Sequence, residues 1–286
     1  MALSRRSGKI GGMRVSPARR IVVITGLLAA LASCSEHSPS APGAHQTHGQ
    51  GAVAAEHPPT ATPVAPTARS VGPNPAVGAV FVGGGPLHSC SAAVLDSAKG
   101  DLILTAAHCL AGIDATFVAG FNDDAADEDF WHIDAVYLDP RWVDDQDPRA
   151  DFAIARVSRA TGDTVQARAG GGLVLGQVPK PGAVVTVTGY EFGVGGGPIS
   201  CTAPIADETN GFPSLPCLGV VAGLSGAPWI DGSTVTGVVG GLHGGGCDES
   251  VSYSPPFDDA VTRLLTRAEA GGPADDVPTG FSDDCD

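Results

Sequence analysis

Three polar side chains, His108, Asp151 and Ser225, have the functional groups that nucleophilic acyl transfer requires. His108 ends the run Leu-Thr-Ala-Ala-His behind an apolar segment, and Asp151 begins the run Asp-Phe-Ala-Ile-Ala. Ser225 lies in Gly-Leu-Ser-Gly-Ala-Pro, whose small residues allow a sharp backbone turn and the close approach of a carbonyl. A serine hydroxyl becomes nucleophilic when an imidazole takes its proton and a carboxylate orients that imidazole. The three residues therefore predict covalent catalysis if the fold brings them together.

The order of these residues along the chain separates two classes of hydrolase. Gly-x-Ser-x-Gly also marks the nucleophile turn of α/β-hydrolases, in which the serine comes first and the histidine last. Here the order is His108, Asp151, Ser225, and the chain lacks the regular alternation of strand and helix patterns. The sequence thus argues against an α/β-hydrolase.

Short apolar runs broken by Gly, Pro and Asp begin at Ala76 and predict an all-β body. Strands are predicted at 77–82, 90–95, 101–105, 115–119, 131–138, 151–157, 172–175, 183–189, 218–222, 227–231 and 235–240. One helix is predicted from Asp258 to Ala268, because apolar residues recur there with helical spacing. Residues 269–286 are predicted to form a loose acidic tail.

The segments around the three residues resemble the active-site motifs of trypsin-like serine proteases, in particular bacterial secreted members. The resemblance covers roughly residues 76–268 and comprises the histidine, aspartate and serine motifs in the family's order. It implies two six-stranded antiparallel β-barrels with a short C-terminal helix, in a protease domain at 73–268. It also implies a serine endopeptidase without a cofactor, in which Ser225 attacks, His108 is the base and Asp151 orients it. The backbone N–H groups of Gly223 and Ser225 would form the oxyanion hole.

The resemblance also implies a disulfide between Cys90 and Cys109, which would hold the loop that presents His108. Apart from Cys34, the chain has six cysteines, an even number that suits three disulfides in an exported protein. Cys201–Cys217 is the next predicted pair, which leaves Cys247 with Cys285. Pairing Cys217 with Cys247 resembles a bridge beside the trypsin pocket and stays an open alternative.

Two features bear on activation and specificity. Leu224 stands where zymogens of this family have an aspartate that binds the amino group freed by cleavage. We therefore expect no ion-pair activation switch. The residues before Ser225 include no acid where trypsin has one for Lys and Arg. The residue preferred at the cleavage site stays open.

Residues 1–33 resemble a bacterial signal peptide. Six basic residues precede the apolar run 21–32, which is too short for a stable membrane span. The ending Leu-Ala-Ser-Cys resembles a lipobox and implies lipid attachment to Cys34; an ordinary signal with an incidental Cys34 is the alternative. Residues 34–72 are rich in Pro, Ala, Thr and His and predict a disordered linker. We expect an exported protein, either a lipoprotein on the outer face of the cytoplasmic membrane or a secreted one.

Charge narrows the partners to proteins and peptides. The formal net charge is −15, and a surface so acidic repels phosphate backbones, which excludes nucleic acid as a partner. Residues 122–129 carry clustered carboxylates where trypsin has its calcium loop; a solvated acidic loop is the default and calcium the alternative. We expect no other metal, and a monomer. The rival functions are a catalytically weak binding lipoprotein and an esterase of the same fold.

Overall fold

The computed structural model describes residues 65–110 and 114–285. The predicted signal peptide, the lipobox with Cys34 and the linker up to residue 64 lie outside the described residues. Within the described part, no helix is long and apolar enough to cross a membrane.

β-Strands dominate the described residues. The strands are β1 (Arg69–Ser70), β2 (Val77–Val82), β3 (Leu87–Val94), β4 (Leu102–Thr105), β5 (Ala115–Ala119), β6 (Trp131–Leu138), β7 (Ala153–Ser158), β8 (Val174–Leu175), β9 (Val184–Gly189), β10 (Gly193–Val194), β11 (Ile199–Pro204), β12 (Ala206–Thr209), β13 (Phe212–Pro216), β14 (Pro228–Asp231), β15 (Thr234–Val238) and β16 (Val251–Tyr253). The helices are α1 (Pro140–Asp145), α2 (Val165–Ala169) and α3 (Asp259–Ala270). Short 3-10 turns span Ala107–Leu110, Asp127–Asp129, Pro148–Ala150 and Leu242–Gly245.

The first half of the fold is a closed barrel of six strands. Its order is β3-β2-β5-β6-β7-β4, and β4 pairs back onto β3 to close the sheet. Phe117 and Trp131 are fully buried inside it. Gly78 on β2 allows this packing, because a Cβ atom there would overlap the Phe117 ring and the Val118 carbonyl. Closure of the barrel leaves no free strand edge at this point of the sheet.

The second half combines a six-stranded sheet, ordered β1-β11-β9-β14-β15-β8, with a three-stranded sheet, β12-β13-β16. Val187, Leu215 and Trp229 are buried in its core. Helix α3 packs through its apolar face into a core formed by strands of both halves of the fold. Asp258 caps its first turn by accepting a hydrogen bond from the Ala260 N–H. The predicted all-β fold with a closed six-stranded barrel and a C-terminal helix is confirmed; in place of the predicted second six-stranded barrel, the second half has these two sheets.

Some predicted boundaries differ from the structure. The segment 218–222 is a loop rather than a strand, because Gly219 has a φ of 78° and only Leu218 forms an isolated bridge, with Thr67. The predicted linker, which ran to residue 72, overlaps the fold, since β1 pairs with β11. Strands β1, β10 to β13 and β16 were not predicted, nor were the short helices α1 and α2.

The C-terminal segment 272–285 packs on the domain, in contrast to the loose tail predicted from its composition. Val277 and Phe281 lie against the core of the first barrel. Cys285 forms a disulfide with Cys247. The segment therefore has a defined path across the surface, and that path reaches the site described next.

Candidate active site

Strand pairing brings His108 and Asp151 together. Strands β4 and β7 are antiparallel neighbours, and Thr105 lies opposite Ala153. His108 follows the end of β4 in a 3-10 turn, and Asp151 precedes the start of β7. Because the end of one antiparallel strand lies beside the start of its neighbour, the two residues meet although 43 positions separate them.

The Asp151 carboxylate is completely buried and accepts three hydrogen bonds. Its Oδ1 accepts from the backbone N–H of His108 at 3.0 Å. Its Oδ2 accepts from His108 Nδ1 at 2.8 Å and from the Gly241 N–H at 2.8 Å. These donors compensate for the loss of water around a buried charge. Since a carboxylate only accepts, Nδ1 carries the proton and Nε2 is free to act as a base.

Ser225 lies in the loop between β13 and β14 and lines the same open cleft as His108. The cleft has a volume of about 560 Å³. Gly226, next to the serine, has a φ of 79°, and a Cβ atom there would overlap Thr105 Oγ1 and the Ser91 carbonyl. Glycine is therefore required immediately after Ser225 for the loop to reach the cleft.

The peptide before Gly223 has a defined orientation. The Ala222 carbonyl accepts a hydrogen bond of 2.8 Å from the Phe192 N–H. In a trans peptide the N–H points opposite to the carbonyl, so the Gly223 N–H points away from Phe192. Within the part of the chain that the structure describes, neither this N–H nor that of Ser225 donates to a protein acceptor. Gly223 and Ser225 both line the cleft.

Ser91 on β3 ties this loop to the first barrel. It is completely buried, and its N–H donates to the Ser225 carbonyl at 2.8 Å. Its Oγ accepts from the Tyr190 N–H at 2.9 Å and donates to the Gly223 carbonyl at 3.1 Å. Its carbonyl accepts from Thr105 Oγ1 at 2.8 Å. Sequence reasoning missed Ser91; the available signal was its position next to Cys90 in the predicted strand.

Phe281, from the C-terminal segment, is the second residue that sequence reasoning missed. Its ring stacks on the His108 imidazole, with ring centroids 4.6 Å apart and planes 12° apart. It also contacts Trp142 on α1, at 5.7 Å between centroids. An aromatic residue near Cys285 in an otherwise acidic tail was the only sequence signal.

The structure contains disulfides Cys90–Cys109, Cys201–Cys217 and Cys247–Cys285. Cys109 directly follows His108, so the first bridge fastens the histidine turn to β3. The same two sulfurs lie near the His108 ring, but they are bonded to each other and therefore offer no thiolate to a metal.

Two carboxylates of the acidic loop at 122–129 accept hydrogen bonds from other parts of the domain. Asp123 Oδ1 accepts from the Gly196 N–H at 3.0 Å, and Asp129 Oδ1 accepts from Arg168 at 3.3 Å. Within the described residues, no three carboxylates of this loop come close enough to share one ion. The carboxylates are used by protein donors or face solvent.

The fold and the pairing of His108 with Asp151, in a cleft that Ser225 also lines, are typical of serine proteases with an antiparallel β-barrel fold. The family model for trypsin matches residues 65–260, more than half of the chain, so the chain belongs to the trypsin family. The protease fold of this family implies peptide or protein substrates. The fold and the three disulfides together indicate an exported protein. A comparison with curated proteins gave no significant match.

Solved structures support the same fold at low sequence identity. Protease Anisep from Arthrobacter nicotinovorans aligns with a TM-score of 0.62 at 22% identity, covering 71% of this chain and 100% of that one. A thermostable serine protease, AL20, from an extremophilic microorganism aligns with a TM-score of 0.60 at 21% identity, covering 69% and 98%. Human heparin binding protein aligns with a TM-score of 0.57 at 17% identity, covering 76% and 100%. At this identity the likeness concerns the fold alone.

Proposed function

We propose that the protein is a serine endopeptidase in which Ser225, His108 and Asp151 form a catalytic triad. The observation that carries the proposal is the 2.8 Å hydrogen bond between His108 Nδ1 and the buried Asp151 carboxylate, in a cleft that Ser225 also lines. With the proton on Nδ1, His108 Nε2 has the lone pair that a base requires.

The proposed reaction proceeds through an acyl-enzyme. Ser225 Oγ attacks the carbonyl carbon of the scissile peptide bond while His108 Nε2 takes its proton. The N–H groups of Gly223 and Ser225 bind the oxyanion, a contribution of about 3 kcal/mol for each donor. The C–N bond then breaks, and His108 gives its proton to the leaving amine. Water attacks the resulting ester with His108 again as the base, and the proton returns to Ser225.

A fluorophosphonate probe tests the nucleophile directly. We expect the wild-type protein to be labelled at Ser225 and Ser225→Ala to lose all labelling. Ser233→Ala, in the exposed turn between β14 and β15, is the matched control and should label like wild type. Wild-type protein that folds but never labels would count against the proposal.

Two rival functions share this fold. A binding lipoprotein would not turn over casein or a peptide library, whereas a peptidase would. An esterase would hydrolyse small esters while leaving peptides intact, so comparing the two rates on one preparation separates it from a peptidase. The presence of all three triad residues favours the peptidase, because ligand binding alone gives no reason for them. A peptide library also identifies the residue preferred at the cleavage site.

We further propose that the protein acts outside the cytoplasm as a monomer, anchored through a lipid on Cys34. The three disulfides of the described domain support export. Metabolic labelling with a radioactive fatty acid should mark the wild-type chain and not Cys34→Ala. Release of both into the medium without label would support the ordinary signal peptide instead. The proposed chemistry needs no cofactor and no calcium.

A further inference from the structure

The C-terminal segment follows a fixed course from helix α3 toward the cleft. The Asp275 N–H donates to the Val136 carbonyl at 2.9 Å, and its carboxylate accepts from the Leu138 N–H at 2.7 Å. The same carboxylate accepts from the Arg267 guanidinium at 3.0 Å. Asp275 thus bonds to the backbone of β6 in the first barrel and to Arg267 on α3, and it attaches the segment to both.

The second half of the segment is held at three further points. The Gly280 carbonyl accepts from Gln146 Nε2 at 2.8 Å. The half-buried Phe281 ring lies between the His108 imidazole and Trp142. Cys285 is bonded to Cys247, in the loop that borders the cleft on the side of the second half of the fold. The segment is therefore a strap fastened at both ends, with Phe281 near its middle.

The strap borders the cleft and does not fill it. Phe281, Asp283 and Cys285 line the same cleft as Ser225 and Gly223, which stays open at about 560 Å³. A plug placed over the nucleophile would instead remove Ser225 from the accessible surface of the cleft. The strap therefore forms one wall of the cleft and leaves Ser225 accessible.

We propose that Phe281 is a positioning residue for His108, delivered by the disulfide-fastened strap. This inference rests on the proposed function. The hydrogen bond from Nδ1 to Asp151 fixes one edge of the imidazole but permits the ring to tilt about that edge. A parallel ring at 4.6 Å blocks the tilt and excludes water from that face. It also stabilises the imidazolium that forms during attack, because the face of an aromatic ring attracts a cation.

If Phe281 positions His108, the rate of Ser225 acylation should depend on whether the side chain at position 281 has a flat ring. Phe281→Ala removes the ring, and Phe281→Leu keeps apolar volume without a flat face. Both should slow acylation of Ser225 about tenfold, the size of an aromatic–cation contact that is partly shielded from water. Phe281→Tyr keeps the ring face and should restore a rate close to wild type.

Two reagents distinguish positioning from substrate binding. Phenylmethylsulfonyl fluoride is too small to span the cleft, so its second-order rate of Ser225 sulfonylation reports on the His108–Ser225 pair. A peptide substrate reports on the pair and on the cleft wall together, through kcat and KM. Positioning predicts that the small reagent and kcat slow by the same factor, with a smaller change in KM.

Val277→Ala is the matched control, since it trims one apolar side chain of the same strap but keeps the Phe281 ring, the hydrogen bonds at Asp275 and Gly280 and the Cys247–Cys285 disulfide, and Val277 does not line the cleft. It should react with the small reagent close to the wild-type rate. A double variant, Cys247→Ser with Cys285→Ser, frees the end of the strap and should slow both reactions as Phe281→Ala does. Circular dichroism on every variant verifies that the domain is folded.

Three results would overturn the inference. Faster reaction of Phe281→Ala would make the strap an inhibitor of the site. An unchanged rate with the small reagent together with a raised KM for peptide would make Phe281 a binding wall only. Equal rates for Phe281→Leu and wild type would remove the role of the flat ring. Failure of the proposed function looks different, because the wild-type protein itself would then not react at Ser225.

Discussion

Replacing Asp151 by asparagine tests the central pair of the site with a change of one atom. Oδ2 serves two donors, His108 Nδ1 and the Gly241 N–H, whereas Oδ1 serves only the His108 backbone N–H. Asparagine offers one carbonyl oxygen and one NH2 group. The oxygen is expected at the position of Oδ2, because that orientation leaves a single N–H donor without an acceptor. Nδ1 then keeps its proton, and the variant loses the negative charge beside it.

The missing charge sets the size of the effect. During attack on a substrate, His108 becomes a cation next to Asp151. Two unit charges about 4 Å apart attract by about 4 kcal/mol at an effective dielectric constant of about 20. We therefore expect acylation to slow about 10³-fold. If the asparagine takes the opposite orientation, the NH2 group favours the wrong imidazole tautomer and the loss approaches about 10⁴-fold.

The assay is the second-order rate constant of fluorophosphonate labelling at Ser225, measured at neutral pH with purified protein. Asp139→Asn is the matched control: Asp139 is also a buried, hydrogen-bonded aspartate, but it caps helix α1 and does not line the cleft. That variant should label at nearly the wild-type rate. A folded Asp151→Asn protein that labels within about tenfold of wild type would refute the charge argument.

Further outcomes follow from buried contacts elsewhere in the domain. Ser91→Ala leaves the buried Tyr190 N–H and the buried Gly223 carbonyl without a partner, so urea unfolding should show a free energy of unfolding lower by about 1–3 kcal/mol. In the same variant kcat should fall by a larger factor than KM rises, because the loop that contains Gly223 loses its anchor. Burial acts to raise the pKa of Asp139, but hydrogen bonds from the adjacent arginine outweigh it and place the pKa below its ordinary value. That carboxylate stabilises the fold above about pH 4 and loses its contribution as the pH falls through the folded pKa, so calorimetry should show a steeper loss of Tm in acid for wild type than for Asp139→Asn. Replacing Cys247 and Cys285 together by serine opens a loop with a sequence separation of 38; equilibrium unfolding should show about 2–4 kcal/mol less stability.

The sequence predicted best those strands whose apolar runs meet a clear turn signal at each end. Strands β2, β5 and β6 have the predicted bounds because they are bounded by Gly, Pro or Asp. Strands β11 to β13 carry Ser, Thr, Pro and acidic residues, since several of their side chains face solvent, and that composition masks the strand pattern. The loop 218–222 shows the opposite effect: it is apolar but contains a glycine in the left-handed region.

The residues of the site also fall into two groups, those that the sequence indicates and those that only the folded structure reveals. The motifs around His108, Asp151 and Ser225 could be recognised in the sequence because the residues of each motif are neighbours along the chain. Ser91 and Phe281 could not, because their roles depend on contacts that exist only after folding. Ser91 reaches a carbonyl 132 positions later, and the contact between Phe281 and His108 requires the whole path of the strap. No composition or spacing rule reports such contacts.

The loop that carries the proposed oxyanion donors is held by neutral hydrogen bonds, which bears on activation. Leu224 is completely buried among apolar residues of the second half of the fold, where a charged partner for a new N-terminus would be costly. The Ala222 carbonyl instead accepts a hydrogen bond from the Phe192 N–H, and the Gly223 carbonyl accepts one from Ser91 Oγ. Both donors lie within the folded domain, so we expect the loop to reach this conformation without cleavage. Ser91→Ala therefore probes the element that replaces an ion-pair switch, and normal kcat in that variant would contradict this account of the loop.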